Sequence, residues 1–204
     1  MSGRFITFEG IEGVGKSTQI RRAAQFCQQL KRHVVMTREP GGTPLAEAVR
    51  ALVLTPQSES LPDVAELLLM ASARAIHTAN LIQPALSRGD WVLCDRYSDA
   101  TRAYQGGGRG MNLALIETIL QACAIEPDLT FWLDAPVAVA WQRVKARGGP
   151  ADRFEAEQGE FFERIRAHYE RLWQANPTRI HRIDASGSEA AVAEAIQAKL
   201  RALL

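Results

Sequence analysis

Residues 5–18 read FITFEGIEGVGKST, and the organisation of the chain follows from this stretch. Gly10, Gly15, Lys16 and Ser17 fill the fixed positions of the pattern G-x-x-x-x-G-K-[ST], directly after an apolar strand-like run and directly before a helix-like segment. The glycines let the backbone curl so that its N–H groups point inward, and the helix N-terminus adds free N–H groups and a positive dipole end. The stretch therefore predicts a loop that binds a polyphosphate.

The chemistry of a nucleoside triphosphate assigns roles within this loop. We expect Lys16 to contact the β- and γ-phosphates and the Ser17 hydroxyl to bind Mg²⁺. An ordinary glycine turn is the alternative, but such a turn does not require a strand before it and a helix after it. The loop predicts the nucleotide that donates the phosphoryl group and leaves the acceptor open.

The bulk composition indicates one ordinary globular domain. The chain has 204 residues, a length that predicts a single domain over 1–204. With 24 Lys+Arg against 23 Asp+Glu, we expect no nucleic-acid or membrane-surface partner. Cys27, Cys94 and Cys123 are widely spaced and form no CxxC pair, which is typical of reduced thiols and not of a zinc site. The first strand begins too early to leave room for a signal peptide, and no apolar run approaches the ~20 residues of a membrane span, so we expect a cytoplasmic protein.

Five apolar runs rich in β-branched or aromatic residues alternate with segments of helical length. Such strands, apolar throughout and separated by helices, indicate a parallel sheet covered on both faces. The predicted fold class is α/β, with the three layers and five-stranded parallel sheet of the P-loop NTPase fold. Ligands of such a sheet gather at the carboxyl ends of its strands. The predicted strands are Arg4–Phe8, His33–Thr37, Trp91–Asp95, Leu129–Asp134 and Arg179–Asp184.

Helical periodicity and turn residues predict the connecting segments. Thr43 is expected to cap the second helix, Pro84 to kink or restart the third, and His77 within the third to be structural, with no visible partner. Residues 98–110 contain four glycines and are expected to form a substrate-contact helix that breaks into a mobile loop. The predicted helices are Lys16–Lys31, 44–54, Pro62–Arg88, Val137–Arg147, Glu160–Trp173 and Glu189–Leu203.

Charged side chains follow two of the predicted strands. After the second strand, Arg38 and Glu39 begin a turn rich in Gly and Pro, which we interpret as functional, with a plain surface turn as the alternative. The third strand ends at Asp95, where a carboxylate would face Mg²⁺ across from Ser17. Arg96 follows, and a phosphate is its expected partner because an unpaired guanidinium there would be costly.

A basic segment around Gly148-Gly149-Pro150 predicts a mobile lid at about residues 143–155. A hinge bracketed by cations is how a lid over a polyphosphate would be built. A solvated basic turn explains the composition equally well. The cations of this segment are Arg143, Lys145, Arg147 and Arg153.

Four motifs together resemble the bacterial thymidylate kinase family, which belongs to the P-loop nucleoside monophosphate kinases. They are FEGIEGVGKST at 8–18, TREPGGT at 37–43, DRY at 95–97 and AYQGGGRG at 103–110. The resemblance runs from the first strand to the final helix, and the second and fourth motifs are more specific than the phosphate loop. It implies direct in-line transfer of the ATP γ-phosphoryl group to dTMP, giving dTDP for dTTP biosynthesis, by a Mg²⁺-dependent homodimer.

The resemblance also implies a role for each matching residue. Glu12 would lie near the sugar 3′-hydroxyl or the acceptor, Tyr104 would crowd the 2′ position, and Arg74 would donate to a thymine carbonyl. Arg38 would hold the acceptor phosphate together with Arg96. The implied catalytic residues are Lys16, Asp95, Arg96, Glu12 and the lid residues Arg147 and Arg153. The implied ATP contacts are Gly10, Ile11, Glu12, Gly13, Val14, Gly15, Lys16, Ser17 and Thr18. The implied dTMP contacts are Arg38, Glu39, Pro40, Met70, Arg74, Arg96, Thr101, Tyr104 and Gln105. The implied metal ligands are Ser17 and Asp95, the latter directly or through water.

One position departs from the family pattern. The family usually has Phe one helical turn before the thymine-binding arginine, where the ring stacks on the base, and this chain has Met70. Methionine packs against a ring through its polarizable sulfur but has no flat face. We therefore expect dTMP binding with weaker base stacking and looser discrimination among pyrimidines.

Two other functions are alternatives to this one. A GTP-dependent switch protein needs an N-K-x-D motif, which is absent, and a D-x-x-G motif after the third strand. The only D-x-x-G is Asp184–Gly187, after the last strand. The nearer alternative is another nucleoside monophosphate kinase of the same fold, which fold alone does not exclude.

Overall fold

A five-stranded parallel sheet forms the centre of the computed structural model, which describes residues 3–55, 58–148, 153–154, 157 and 159–203, with the Arg147 side chain left out. The strands are β1 (Arg4–Glu9), β2 (Val34–Arg38), β3 (Trp91–Asp95), β4 (Leu129–Asp134) and β5 (Ile180–Asp184). They lie in the order β2-β3-β1-β4-β5. The predicted α/β fold is therefore confirmed, and each strand begins and ends within one residue of its predicted bounds.

Helices connect the strands and cover both faces of the sheet. Thr43 caps the second helix by accepting a hydrogen bond from the Ala46 N–H, as its position predicted. The described helices are α1 (Lys16–Gln29), α2 (Pro44–Leu54), α3 (Asp63–His77), α4 (Gln83–Ser87), α5 (Ser98–Thr101), α6 (Leu113–Cys123), α7 (Val137–Arg147), α8 (Gly159–Ala175) and α9 (Glu189–Arg201). Two π-helical segments, Thr78–Ile82 and Arg102–Gly108, extend α3 and α5. No helix in the described ranges combines the length and the apolar character needed to cross a membrane.

The strand β1 occupies the middle of the sheet because both its faces are apolar. Ile6 and Phe8 belong to the large core cluster that also contains residues of α1, α8 and α9, whereas Phe5 packs in a second cluster with Tyr97 and Ile82. The register pairs Phe8 with Asp95 on one side and with Phe131 on the other. The loop that follows β1 is thereby held beside the carboxyl end of β3.

Residues 98–110 differ from the prediction of a helix that breaks into a mobile loop. The helix continues as the π-helical segment Arg102–Gly108, whose glycines lie against α8. A Cβ atom on Gly107 would lie 2.6 Å from the His168 Cβ, and one on Gly108 would lie 2.5 Å from the Phe161 ring. Gly107 and Gly108 therefore permit close helix packing, and the non-helical stretch begins only at Arg109, with Gly110 at φ 72°.

Several helix ends also differ from the prediction, among them that of α8, which ends at Ala175 and not at Trp173. One restart agrees with the prediction. The first helix ends at Gln29 and not Lys31, because Lys31 takes the left-handed backbone conformation with φ 58°. The last ends at Arg201 instead of Leu203. As predicted, Pro84 lies at a restart, in the first turn of α4 after the π-helical Thr78–Ile82.

Candidate active site

The phosphate loop between β1 and α1 has the glycine conformations that a curled backbone needs. Gly10, Gly13 and Gly15 have φ values of 130°, 78° and 93°, in the region that side chains rarely adopt. A Cβ atom on Gly13 would also clash with the Ala140 carbonyl oxygen of α7. Helix α1 begins at Lys16 with no acidic residue in its first turn, so the positive end of its dipole is not neutralised there.

Lys16 folds back over this loop. Its Nζ donates to the carbonyl oxygens of Gly10 at 2.9 Å and Ile11 at 2.8 Å. Burial, and then the neighbouring Arg96, lower the pKa of Lys16 to about 8, against the opposing effect of Asp95 and Glu12. A phosphate placed beside Nζ would favour the charged ammonium, so the site is suited to an anionic ligand.

The side chains of Ser17 and Asp95, the two predicted metal ligands, meet across the loop. The Ser17 hydroxyl donates to Asp95 Oδ2 at 3.2 Å, and the buried Asp95 Oδ1 has no hydrogen-bond partner within the described part of the chain. A hydroxyl oxygen and a free carboxylate oxygen are hard donors that suit Mg²⁺. The described residues contain no group of three His, Cys, Asp or Glu side chains able to hold a metal ion. A Mg²⁺ ion here would therefore also depend on nucleotide oxygens and water.

Arg96 adopts a left-handed backbone conformation, φ 66°, which is costly for any residue except glycine. Its guanidinium donates to the Gly10 carbonyl at 2.8 Å and to Glu12 Oε1 at 2.7 Å, and it lies 4.7 Å from the centre of the Tyr104 ring. These contacts hold the backbone at Arg96 and point its side chain at the phosphate loop.

Glu12 accepts hydrogen bonds from two sides. Its carboxylate accepts from Arg96 and from the Tyr104 hydroxyl, which lies 2.9 Å from Oε1 and 2.7 Å from Oε2. Burial alone would raise the pKa of Glu12, but Arg96, Lys16 and Tyr104 outweigh it, and the pKa lies below its ordinary value. Glu12 is therefore a carboxylate near neutral pH.

Two cavities meet at these side chains. The larger, the donor cleft, encloses about 1620 Å³ of empty space, part of it open to solvent, and cationic side chains outnumber acidic ones along it. The smaller, the acceptor cavity, encloses about 550 Å³ on the same basis. The donor cleft is lined by Gly13, Gly15, Lys16, Ser17, Thr18, Arg38, Asp95 and Arg143, among others. The acceptor cavity is lined by Pro40, Met70, Arg74, Thr101, Tyr104 and Gln105, among others. Both cavities are lined by Glu12, Glu39, Arg50 and Arg96.

A buried ionic network forms one wall of the acceptor cavity. Glu39 Oε2 accepts from Arg74 Nε at 2.7 Å, and Glu39 Oε1 lies 3.0 Å from His77 Nδ1. Because a carboxylate only accepts, His77 Nδ1 donates to Glu39, and His77 Nε2 lies 2.7 Å from the Thr37 hydroxyl. His77 is structural, as expected, but it does have a partner, which the sequence could not reveal.

Several predicted site residues lie away from the position expected of them or outside the described residues. Arg38 is exposed, pairs with Glu47 at 3.0 Å, and lines only the donor cleft. Arg153 contacts Glu66 and donates to the Val53 carbonyl at 2.9 Å. The Arg147 side chain, like much of the expected lid at 143–155, lies outside the described residues. The roles of these arginines in phosphoryl transfer stay predictions.

Arg50, Tyr97 and Phe154 are among the cavity-lining residues that were not singled out from the sequence as site residues. Arg50 lines both cavities and donates to the Pro40 carbonyl at 2.8 Å. Tyr97 and Phe154 line the acceptor cavity. Tyr97 follows Asp95 and Arg96 at the end of a strand, and this position could have indicated a site residue. Arg50 lies within helix α2, where an arginine does not indicate a site.

Comparisons with known proteins identify the family of the chain. The family model described as thymidylate kinase matches residues 8–196. The thymidylate kinase of Chromohalobacter salexigens is 52% identical over 202 residues, covering 97% of this chain and 95% of that protein. The thymidylate kinase of Pseudomonas entomophila is 50% identical over 207 residues, covering 100% and 98%. The crystal structure of thymidylate kinase from Ehrlichia chaffeensis superposes with a TM-score of 0.79 at 33% identity, covering 98% of this chain and 99% of that one. The chain belongs to the thymidylate kinase family.

Proposed function

We propose that this chain transfers the γ-phosphoryl group of ATP directly to dTMP, giving dTDP for dTTP biosynthesis. ATP-dependent phosphorylation of dTMP is the reaction of the family to which the chain belongs. The observation that carries the proposal is that the donor cleft and the acceptor cavity share Glu12 and Arg96. A phosphate entering from either side would meet the same guanidinium, as direct transfer between two bound nucleotides requires.

The donor cleft is suited to ATP with Mg²⁺. Its glycine loop and the N-terminus of α1 offer N–H groups to the phosphates, and Lys16 and Arg96 offer positive charge. Ser17 and Asp95 would hold Mg²⁺, which would offset negative charge on the phosphates. Lys16 would leave its carbonyl partners for the phosphates, a short movement because those carbonyls belong to the same loop.

The acceptor cavity is suited to a deoxynucleoside monophosphate. Arg74 Nη1 makes no hydrogen bond to the described residues and would donate to a thymine carbonyl, while Thr101 and Gln105 would also contact the base. Tyr104, fixed to Glu12 by its hydroxyl, would crowd a ribose 2′-hydroxyl, and Glu12 would lie near the 3′-hydroxyl.

The transfer step would rest on positioning and charge neutralisation rather than on a general base. Arg96, with Arg38, would hold the acceptor phosphate while Lys16 stabilises charge on the phosphoryl group in flight. Arg147 and Arg153, from the lid proposed at 143–155, would complete this cationic shell in a closed conformation.

The same proposal includes a homodimer in a reducing, cytoplasmic compartment. Helices α2 and α6 both pack against α3, and together these helices carry large apolar side chains exposed to solvent. A second copy of the chain would bury them. The three cysteines are unpaired, which fits the reducing compartment. The exposed apolar residues are Leu45, Leu52, Val64, Leu68, Leu113 and Leu115.

A panel of acceptors tests the proposal. Coupled assays with ATP and Mg²⁺ should give the highest kcat/KM for dTMP among dTMP, dUMP, CMP, UMP and GMP. Highest kcat/KM on any other acceptor would favour another nucleoside monophosphate kinase of the same fold and would overturn the assignment.

A further inference from the structure

Glu66 is a fully buried carboxylate on α3 that the proposed mechanism leaves unused. We propose that Glu66 is a positioning residue, an inference that rests on the proposed function. It fixes the side-chain amide of Gln105 so that the amide carbonyl faces the acceptor cavity and selects a base that presents an N–H donor.

The contacts of Glu66 divide between its two oxygens. Oε1 accepts a hydrogen bond from Gln105 Nε2 at 2.6 Å. Oε2 is shared by two guanidinium groups, those of Arg109, at 3.4 Å, and Arg153. The two arginines stabilise the charged carboxylate, which then has acceptor sites only.

This charge decides which way the Gln105 amide points. A glutamine amide can in general be turned over, because its oxygen and nitrogen ends are nearly equal in size. Beside a carboxylate only the NH₂ end is tolerated, since the carbonyl end would place two acceptors in contact. The side-chain carbonyl of Gln105 is therefore directed away from Glu66.

The side-chain carbonyl oxygen of Gln105 has no hydrogen-bond partner among the described residues. Gln105 is fully buried and lines the acceptor cavity, and its Oε1 makes no hydrogen bond to any of them. A buried acceptor left unpaired is unfavourable, so the free protein retains an acceptor that a ligand can satisfy.

A fixed acceptor discriminates between pyrimidine edges. Thymine and uracil carry hydrogen on N3 and can donate to Gln105 Oε1, whereas cytosine has an N3 lone pair that would oppose it. Loss of one buried hydrogen bond corresponds to a factor on the order of 10 to 100 in affinity. Glu66 would thus contribute to base selection without touching the base.

The test compares Glu66→Gln, Gln105→Met and the double variant with dTMP and 5-methyl-dCMP, two substrates that differ only at this base edge. We expect Glu66→Gln to raise the KM for dTMP by about tenfold, because an uncharged amide at position 66 tolerates either orientation of the Gln105 amide. The KM for ATP should stay unchanged, and the preference for dTMP over 5-methyl-dCMP should fall. The Gln105→Met background has no amide to orient. In it, Glu66→Gln should change neither the KM for dTMP nor the preference for dTMP over 5-methyl-dCMP by more than about twofold.

Two controls separate positioning from general damage. Glu117→Gln also removes a carboxylate that pairs with an arginine, in this case Arg102, and neither residue lines either cavity. This substitution should leave the KM for dTMP unchanged. Equal effects of Glu66→Gln with and without Gln105 would overturn the proposal, because the effect would then run through Arg109, Arg153 or the fold. An unchanged KM for dTMP in Glu66→Gln would overturn it as well.

Gln105→Met provides a second test if Glu66→Gln does not fold. Gln105→Met alone must then lower the preference for dTMP over 5-methyl-dCMP, and an unchanged preference contradicts the assignment. Failure of the wild-type protein to phosphorylate dTMP would instead count against the proposed function.

Discussion

Arg96 combines an unusual backbone conformation with a side chain that lines both cavities. Its left-handed backbone turns the chain sharply after β3, and its guanidinium is held by the Gly10 carbonyl and Glu12 while lining both cavities. Strain of this kind costs about 1–3 kcal/mol and persists only where surrounding contacts enforce it. The cost is explicable if Arg96 must reach a phosphate between two nucleotides.

Met70 lies in the acceptor cavity at the position where the family usually has a phenylalanine. It lines the acceptor cavity and packs partly buried against the main core, one turn before Arg74. Met70→Phe should supply a flat ring and lower the KM for dTMP by about three- to tenfold, the range expected for an added aromatic contact. The dTMP preference over dUMP should rise, because a flat ring holds the base more firmly. Steady-state kinetics of both substrates provide the check, and unchanged Michaelis constants for both would refute the weaker-stacking account.

At the scale of elements, the π-helical segment Arg102–Gly108 places Tyr104 and Gln105 along the acceptor cavity and packs its glycines on α8. Gly107→Ala should destabilise the protein by about 1–3 kcal/mol, because the added methyl group meets the His168 Cβ. It should also raise the KM for dTMP by displacing the segment.

A matched substitution controls for the change of residue type. Gly159 begins α8 with nothing within 4 Å of an added Cβ, so Gly159→Ala should be neutral or slightly stabilising in urea unfolding. Equal effects of the two substitutions would contradict the close-packing explanation.

Arg153 is one of the arginines of the proposed lid, and the structure describes its contacts. Arg153 is held by Glu66 and the Val53 carbonyl, so it would have to change partners to approach a phosphoryl group. Arg153→Ala should lower kcat by a factor on the order of 10³, as expected for an arginine that stabilises transition-state charge. A change confined to the KM for ATP would reassign Arg153 to donor binding, and unchanged kinetics would leave it a structural residue.

Elements were predictable where local chemistry decides them. Apolar runs identify β3 and β4 to the residue, and Thr43 identifies the start of α2. The π-helical continuation after Thr101 was not predictable, since its glycines serve packing against α8, a helix more than fifty residues away in sequence. Glu66 and Arg50 gave no signal for the same reason, because a single charge in a helical pattern is usually solvated and their partners become visible only in three dimensions.

At the scale of the whole molecule, the strand order puts β1 between β3 and β4, so the phosphate loop opens at the centre of the sheet edge. The same arrangement buries Glu9, the last residue of β1, completely. Glu9 accepts from the Tyr97 N–H at 2.8 Å and contacts the Tyr169 hydroxyl at 2.7 Å. Burial, and then Asp99, raise the pKa of Glu9 to about 8.

This shift predicts how stability depends on pH. Between pH about 4.5 and 8 the folded chain keeps a proton on Glu9 that the unfolded chain releases, so stability falls as pH rises, and it levels off above 8. Glu9→Gln removes this titration, so its stability relative to the wild type should increase by about 1 kcal/mol per pH unit over that window. Urea unfolding of both proteins from pH 5 to 9 measures the difference. A difference independent of pH would mean that Glu9 is already ionised in the folded protein.

On the proposed function, the Arg96 guanidinium and the Glu12 carboxylate join the donor cleft to the acceptor cavity, and the phosphoryl group would pass directly between the two nucleotides bound there. Initial rates measured over a matrix of ATP and dTMP concentrations test it most directly. Direct transfer in a ternary complex predicts double-reciprocal lines that intersect, with no phosphate retained on the protein after incubation with γ-labelled ATP alone. Parallel lines, together with label bound covalently to the protein, would show a phosphoryl-enzyme intermediate and contradict the account.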